Sequence, residues 1–152
     1  MPHDAKPTIP ESHRDILESA GTAYIAAIGP RGEPQVSPVW FDWDGRYLRF
    51  TQVDAQQKYK NLQRDGRIAV SISPPDDLYR NVELRGDVVR VDGDLDGTFG
   101  DKLAKKYLGQ DRHPCAPTNG EFLVVVVEPR HVRTYAAGWF AGSDKGETHG
   151  GV

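Results

Sequence analysis

The stretch Tyr79–Val91 (YRNVELRGDVVRV) constrains the fold more than any other part of the chain. Its apolar set is Val82, Leu84, Val89 and Val91, set among polar residues with the period of a strand that buries one face. The phase of that alternation changes near Gly86. A phase change at a glycine implies a bulge or a sharp bend, as at the corner of a barrel. A chain built around such a strand has to make a curved sheet.

The flanking segments supply partners for it. Thr22–Ile28 (TAYIAAI) reads as a strand, Gly29–Glu33 as a turn, and Pro34–Trp43 (PQVSPVWFDW) as a second strand. Pro38 requires an edge, a bulge or a place where no ladder N–H is needed. Asp44–Gly45 is a hairpin turn leading to Arg46–Thr51, and Arg67–Ser73 is a fourth strand with Ile68, Val70 and Ile72 inward. After the Gly86 strand come Glu121–Val127 (EFLVVVV), near-continuously apolar and expected to be central, and a last strand over Arg130–Tyr135. Short helices are expected over Glu11–Ala20, with Ile16 and Leu17 inward and Gly21 as the stop. Another is expected over Gly97–Leu108, with Phe99, Leu103 and Tyr107 on one face and Gly109 ending it. The sum is a mainly β protein of six or seven antiparallel strands, a small barrel covered by helices. Residues 1–10 read as a flexible arm, 11–137 as the domain and 138–152 as a loose tail.

Thr51–Arg67 (TQVDAQQKYKNLQRDGR) reads as a strand end, a short helix and the next strand's start. Asp54 suits the N-cap, Gln57 completes a capping box, Leu62 is the inward residue and Gly66 the C-terminal stop. Lys58 then falls in or just past the first turn, with Lys60 beside it and Arg64 one turn beyond Lys60. A cation there opposes the helix dipole. An anion bound at the helix start would relieve the conflict; ordinary surface lysines on a solvated face are the other reading.

Composition limits what such a site can serve. The 152 residues suffice for one domain with a real core, and the net charge of −3 argues against a nucleic-acid partner, so any basic cluster serves a local anion. The single cysteine, Cys115, permits no internal disulfide and no cysteine-based zinc site, in keeping with a cytoplasmic protein. His3, His13, His113, His131 and His149 are scattered with no i, i+4 pair, so no metal site is expected. No apolar run approaches the ~20 residues of a membrane span, and the first ten residues lack the apolar core of a signal peptide. There is no G-x-S-x-G elbow, no P-loop and no G-x-G-x-x-G after a strand. Ser37 has no nearby cue for a base. An enzyme of this composition needs a bound cofactor for its difficult step. Lys58 and the helix start offer it an anion anchor, and Val36–Phe41 (VSPVWF) with Tyr79 offers a slot for a planar ring. Trp40, Trp43 and Tyr79 suit core or dimer-interface packing equally well.

Four motifs occur in order: PQVSPVWFDWDG, RFT, KYKNLQRDGRIAVSI and DDLYRNVELRGDV. Together they resemble the pyridoxamine 5′-phosphate oxidase-like, flavin-binding split-barrel superfamily, and more narrowly its actinobacterial branch that uses the deazaflavin coenzyme F-420. The resemblance implies a six-stranded antiparallel split β-barrel flanked by short helices, paired as a homodimer with cofactor grooves between the subunits. It implies that Lys58 holds the cofactor's phosphate or acidic tail, with Gln57, Lys60 and Asn61 near it. Thr51 and Gln52 would cradle the phosphate side, while Ser37, Pro38, Val39 and Trp40 border the ring. Tyr79 would sit beside the ring or a small-molecule substrate. FMN-using members often carry Ser-Arg before the matching lysine; Gln56 and Gln57 stand there in this chain. The expected activity is therefore hydride transfer from reduced F-420 to an activated double bond. An FMN oxidoreductase and a deazaflavin or haem carrier on the same barrel are the alternatives.

Overall fold

A computed structural model describes residues 6–115 and 120–136. The strands are β1 (Thr22–Ile28), β2 (Pro34–Val39), β3 (Phe41–Trp43), β4 (Leu48–Val53), β5 (Arg67–Ser73), β6 (Arg80–Gly93) and β7 (Phe122–Ala136). The helices are α1 (Arg14–Glu18), preceded by a 3-10 turn, α2 (Gln57–Arg64) and α3 (Thr98–Leu108). All strand pairs are antiparallel, and the sheet order is β2-β1-β5-β6-β7-β4-β3. Its two outermost strands are consecutive in the chain and joined by Trp40 alone. The sheet therefore curls until its margins meet, without a ladder between them, which is a split barrel.

The strand count is seven, within the six or seven read from the residues and one more than the six the resemblance implies, but two boundaries differ. Pro34–Trp43 breaks at Trp40 into β2 and β3, while Pro38 stays inside β2, which is an edge strand as a proline requires. Conversely, Glu121–Val127 and Arg130–Tyr135 are one strand, β7. Pro129 does not break it because it pairs with Gly86 at a register shift, where a ladder N–H is not needed. The bend expected at Gly86 is there. A Cβ on that glycine would lie 2.1 Å from the Glu128 carbonyl oxygen, so only glycine allows the approach.

The apolar run of β7 is buried on both faces. Val125 and Val127 join Phe41, Leu48, Phe50, Ile25 and Leu84 inside the barrel, whereas Val124 and Val126 lie under Phe99 and Leu103 of α3. Ile16 and Leu17 of α1 complete the main core. α3 has glycine stops at both ends in the left-handed region, Gly97 (φ 73°) and Gly109 (φ 69°). The Asp94 carboxylate caps its first turn, accepting from the amides of Phe99 (3.0 Å) and Gly100 (2.9 Å). From α3 the Tyr107 hydroxyl crosses to the barrel seam. It donates to the Gly21 carbonyl (2.7 Å) and accepts from the Phe41 amide (3.2 Å).

Several local expectations fail. Asp54 does not cap α2: the cap position is Gln56, and the Asp54 carboxylate accepts from the Glu121 amide at 2.9 Å. Neither Gly21 nor Gly66 has a positive φ. Gly21 is instead required by close approach, since a Cβ there would lie 2.3 Å from the Ser73 carbonyl oxygen. Within the expected arm over residues 1–10, Ile9 is buried in the main core. The tail 138–152 lies outside the described residues.

Candidate functional site

α2 packs against the β1–β2 side of the barrel through Leu62 and Asn61, both buried. The Asn61 amide donates to Gln35 Oε1 on β2 (2.8 Å), and its oxygen accepts from Gln57 (2.9 Å). Arg64 reaches back to the Ile28 carbonyl at 2.7 Å. These bonds fix the helix so that Lys58, its second residue, points across to β2. No side chain caps the helix start, which leaves its first amides available to an anion.

Lys58 lines a cavity of about 250 Å³ with Pro38, Val39, Trp40, Thr51, Gln52, Val53, Gln56, Leu103, His113 and Phe122. The Lys58 Nζ donates to Ser37 Oγ at 2.9 Å and sits 5.8 Å from the Phe50 ring centroid. No carboxylate pairs with it among the described residues. Burial pushes its pKa down to about 8. The contrast is Asp42, buried on β3, which accepts from Arg49 (2.8 and 2.6 Å) and from Lys102 (2.7 Å). Lys106 is also pushed down to about 8 by burial, but its ammonium is a strut, donating to the Phe41 carbonyl at 2.9 Å.

Two further polar atoms of the same wall, Thr51 Oγ1 and Gln52 Oε1, are buried with no hydrogen-bond partner. The Gln52 amide nitrogen is committed to Gln56 Oε1. A larger cavity, about 620 Å³, lies between the residues before α1 and the Asp44–Arg46 turn. Among the described residues it has no unpartnered buried side-chain polar atom, so the smaller of the two is the chemically incomplete one. The far wall is aromatic. Trp40 stacks on Tyr107 (4.9 Å between centroids, 7° between planes) and meets His113 at 5.8 Å, which in turn meets Phe122 edge-on at 5.5 Å.

Of the residues singled out in the sequence, Pro38, Val39, Trp40, Thr51, Gln52 and Lys58 converge on this cavity, and Ser37 touches it through Lys58. Gln57 and Asn61 are bonded to each other, away from the lining. Lys60 is exposed on α2. Tyr79 lies in the turn before β6, half exposed and outside this cavity of the single chain. Val53, Gln56, Leu103, His113 and Phe122 were missed. Leu103 carried a core signal only, and His113 and Phe122 carried none.

The sequence profile of the pyridoxamine 5′-phosphate oxidase family matches residues 9–136. The chain belongs to that family. A solved F-420 reductase is 35% identical, with 82% of this chain and 98% of that one covered and a TM-score of 0.74. A conserved hypothetical protein from Mycobacterium tuberculosis is 22% identical, covers 99% and 98% of the two chains, and has a TM-score of 0.69. General Stress Protein 26 from Bacillus anthracis shares the fold at 14% identity, 82% and 91% coverage and a TM-score of 0.60. No curated protein matches the chain. The resemblance read from the motifs thus holds for the family and for the split barrel. No helix among the described residues is long and apolar enough to cross a membrane.

Proposed function

We propose that this chain is an F-420-dependent oxidoreductase acting on an electron-poor double bond of a small organic molecule, such as an enone or a quinone. The observation that carries the reading is Lys58, an ammonium with no carboxylate partner among the described residues, on the wall of a cavity whose lining residues Thr51 and Gln52 each carry an unpartnered buried oxygen. That donor set suits a ligand with an acidic tail and polar groups near a ring. Lys58 and the uncapped start of α2 would hold the acidic tail. Thr51 Oγ1 can donate to the ligand and Gln52 Oε1 can accept from it. Pro38, Val39 and Trp40 would border the ring. Bound and reduced, the deazaflavin supplies a hydride. The chain's own part is to hold ring and acceptor about 3–3.5 Å apart and to exclude water. The 35% identity to an F-420 reductase and the neutral pair Gln56–Gln57 before Lys58 favour the deazaflavin over FMN.

A second copy of the chain fits the same reading. At about 250 Å³ the cavity of one chain falls short of the roughly 300–1,000 Å³ usual for a ligand pocket. Beside it, the outer face of β1, β2 and β5 carries Tyr24, Ala26, Val36 and Ala69, with Tyr24 and Val36 exposed. Pairing through that face would cover Tyr24 and Val36 and deepen the groove.

The deciding experiment is a side-by-side titration of the purified protein with F-420 and FMN, followed by fluorescence and light scattering. Tighter binding of F-420 by a dimer is expected, followed by oxidation of the reduced form when cyclohex-2-en-1-one or menadione is added. A monomer that binds neither would sink the proposal. Binding of F-420 without turnover on a broad panel of enones and quinones would favour a carrier.

A further inference from the structure

The lysine cavity has a neighbour. A second cavity of about 370 Å³ opens between the start of α3 and the start of β7, and His113 and Phe122 belong to the walls of both. His113 therefore stands at the junction of the space assigned to the cofactor and a second space with its own opening.

Its orientation is set from three sides. The His113 backbone amide donates to Asp101 Oδ1 at 2.8 Å, which ties its loop to α3. The ring is held between Trp40 and Phe122. Nδ1 lies 2.8 Å from the Cys115 carbonyl oxygen. The Cys115 backbone N–H donates to the same nitrogen (3.1 Å), so Nδ1 is occupied by its own loop and Nε2 is the nitrogen left to exchange protons; no described residue hydrogen-bonds Nε2. One ring nitrogen held by the backbone and the other unpartnered, on a ring that walls two cavities, is an arrangement suited to proton transfer.

We infer that His113 is the proton donor of the reaction, and that the substrate's reacting double bond lies at the junction of the two cavities. The inference rests on the function proposed above. When hydride arrives at one carbon of the double bond, the π pair moves onto the neighbouring carbon and its carbonyl. The Nε2–H bond of the imidazolium then breaks and its proton forms the new C–H bond. The neutral imidazole regains a proton from water through the second cavity. One hydride and one proton are consumed, the cofactor is oxidised and the double bond reduced.

The charged and titratable groups around the ring are Asp94, Asp96 and Asp101 on the α3 side, Glu121 ahead of β7, Cys115 in its own loop and Lys58 across the first cavity. Asp94 and Asp101 accept backbone amides, Asp96, Glu121 and Cys115 line the second cavity alone, and Lys58 is assigned to the cofactor's tail, which leaves His113 as the titratable described residue that walls both spaces.

The test uses the full-length protein and His113→Gln, with His113→Asn as a second variant. Both should keep the wild-type circular dichroism and unfold cooperatively, which reports that the fold is intact. With cyclohex-2-en-1-one and saturating F-420, the variants should lose about 100-fold in kcat. Independently of turnover, 15N NMR of protein holding oxidised F-420 should show His113 Nε2 shifting on addition of the enone while Nδ1 stays. Wild-type kcat in the folded variants, or an Nε2 signal indifferent to bound enone, overturns the assignment of His113 alone. Failure of the wild type to bind F-420 overturns the function it rests on as well.

Discussion

The Lys58 ammonium donates to the Ser37 hydroxyl across 2.9 Å, tying the first turn of α2 to the edge strand β2. A hydroxyl is a weak partner for a half-buried cation, so this ammonium is held in place without being neutralised. Removing it should separate stability from binding. Lys58→Met should weaken F-420 binding by roughly 10–100-fold. The same change should raise the melting midpoint of the cofactor-free protein by about 2–4 °C, since a cation without a counter-charge leaves the interior. Fluorescence titration and a thermal melt check the two halves.

The downward shift of Lys58 sets a pH dependence. Its folded value of about 8 lies below the ordinary 10.5. Below about pH 8 the free protein carries the ammonium and affinity for an anionic cofactor should be flat. Above that pH the amine is neutral and affinity should fall by up to about tenfold per unit. Stability of the cofactor-free protein has the opposite sign. The folded state holds this proton less tightly than the unfolded chain, so this group's contribution improves as pH rises from about 8 towards 10.5. Binding and urea titrations over that window would show the two trends crossing.

Thr51 Oγ1 is buried and unpartnered, so its hydroxyl costs the empty protein stability. Thr51→Val keeps the shape and removes the oxygen. Urea unfolding of the cofactor-free variant should be unchanged or shifted upward by less than ~1 kcal/mol, while F-420 affinity drops about 5–10-fold. A clear loss of stability would mean that the hydroxyl serves the fold and not a ligand.

Gly86→Ala tests the bend. The added carbon would meet the Glu128 carbonyl at 2.1 Å, with backbone on both sides of the contact. The two longest strands would have to part, at a cost of about 2–3 kcal/mol. Urea unfolding should report that loss, and no suppressor on the protein surface should restore it.

Local rules reached the barrel because its decisive features are local. Gly86 interrupts an alternating run, and Phe99, Leu103 and Tyr107 repeat at helical spacing before Gly109. Lys58 stood out as a cation where the helix dipole favours an anion, and that conflict does lie in the cavity wall. The failures share one physical cause, which is competition from distant partners. Asp54 has the composition and spacing of a cap, but the Glu121 amide takes its carboxylate. Pro129 looks like a strand breaker until Gly86 is placed opposite it. His113 and Phe122 reach the site only when α3, its following loop and β7 close around Trp40, so no pattern in the sequence around them marks their role.

Trp40 spans the two margins of the sheet and also walls the lysine cavity. Any breathing motion that parts β2 from β3 must pull on that indole and widen the recess beside it. A molecule lodged there acts as a clasp on the least-braced line of the barrel. Slowed solvent exchange of the Phe41 amide, whose bond to Tyr107 spans that line, would signal occupancy from outside the pocket.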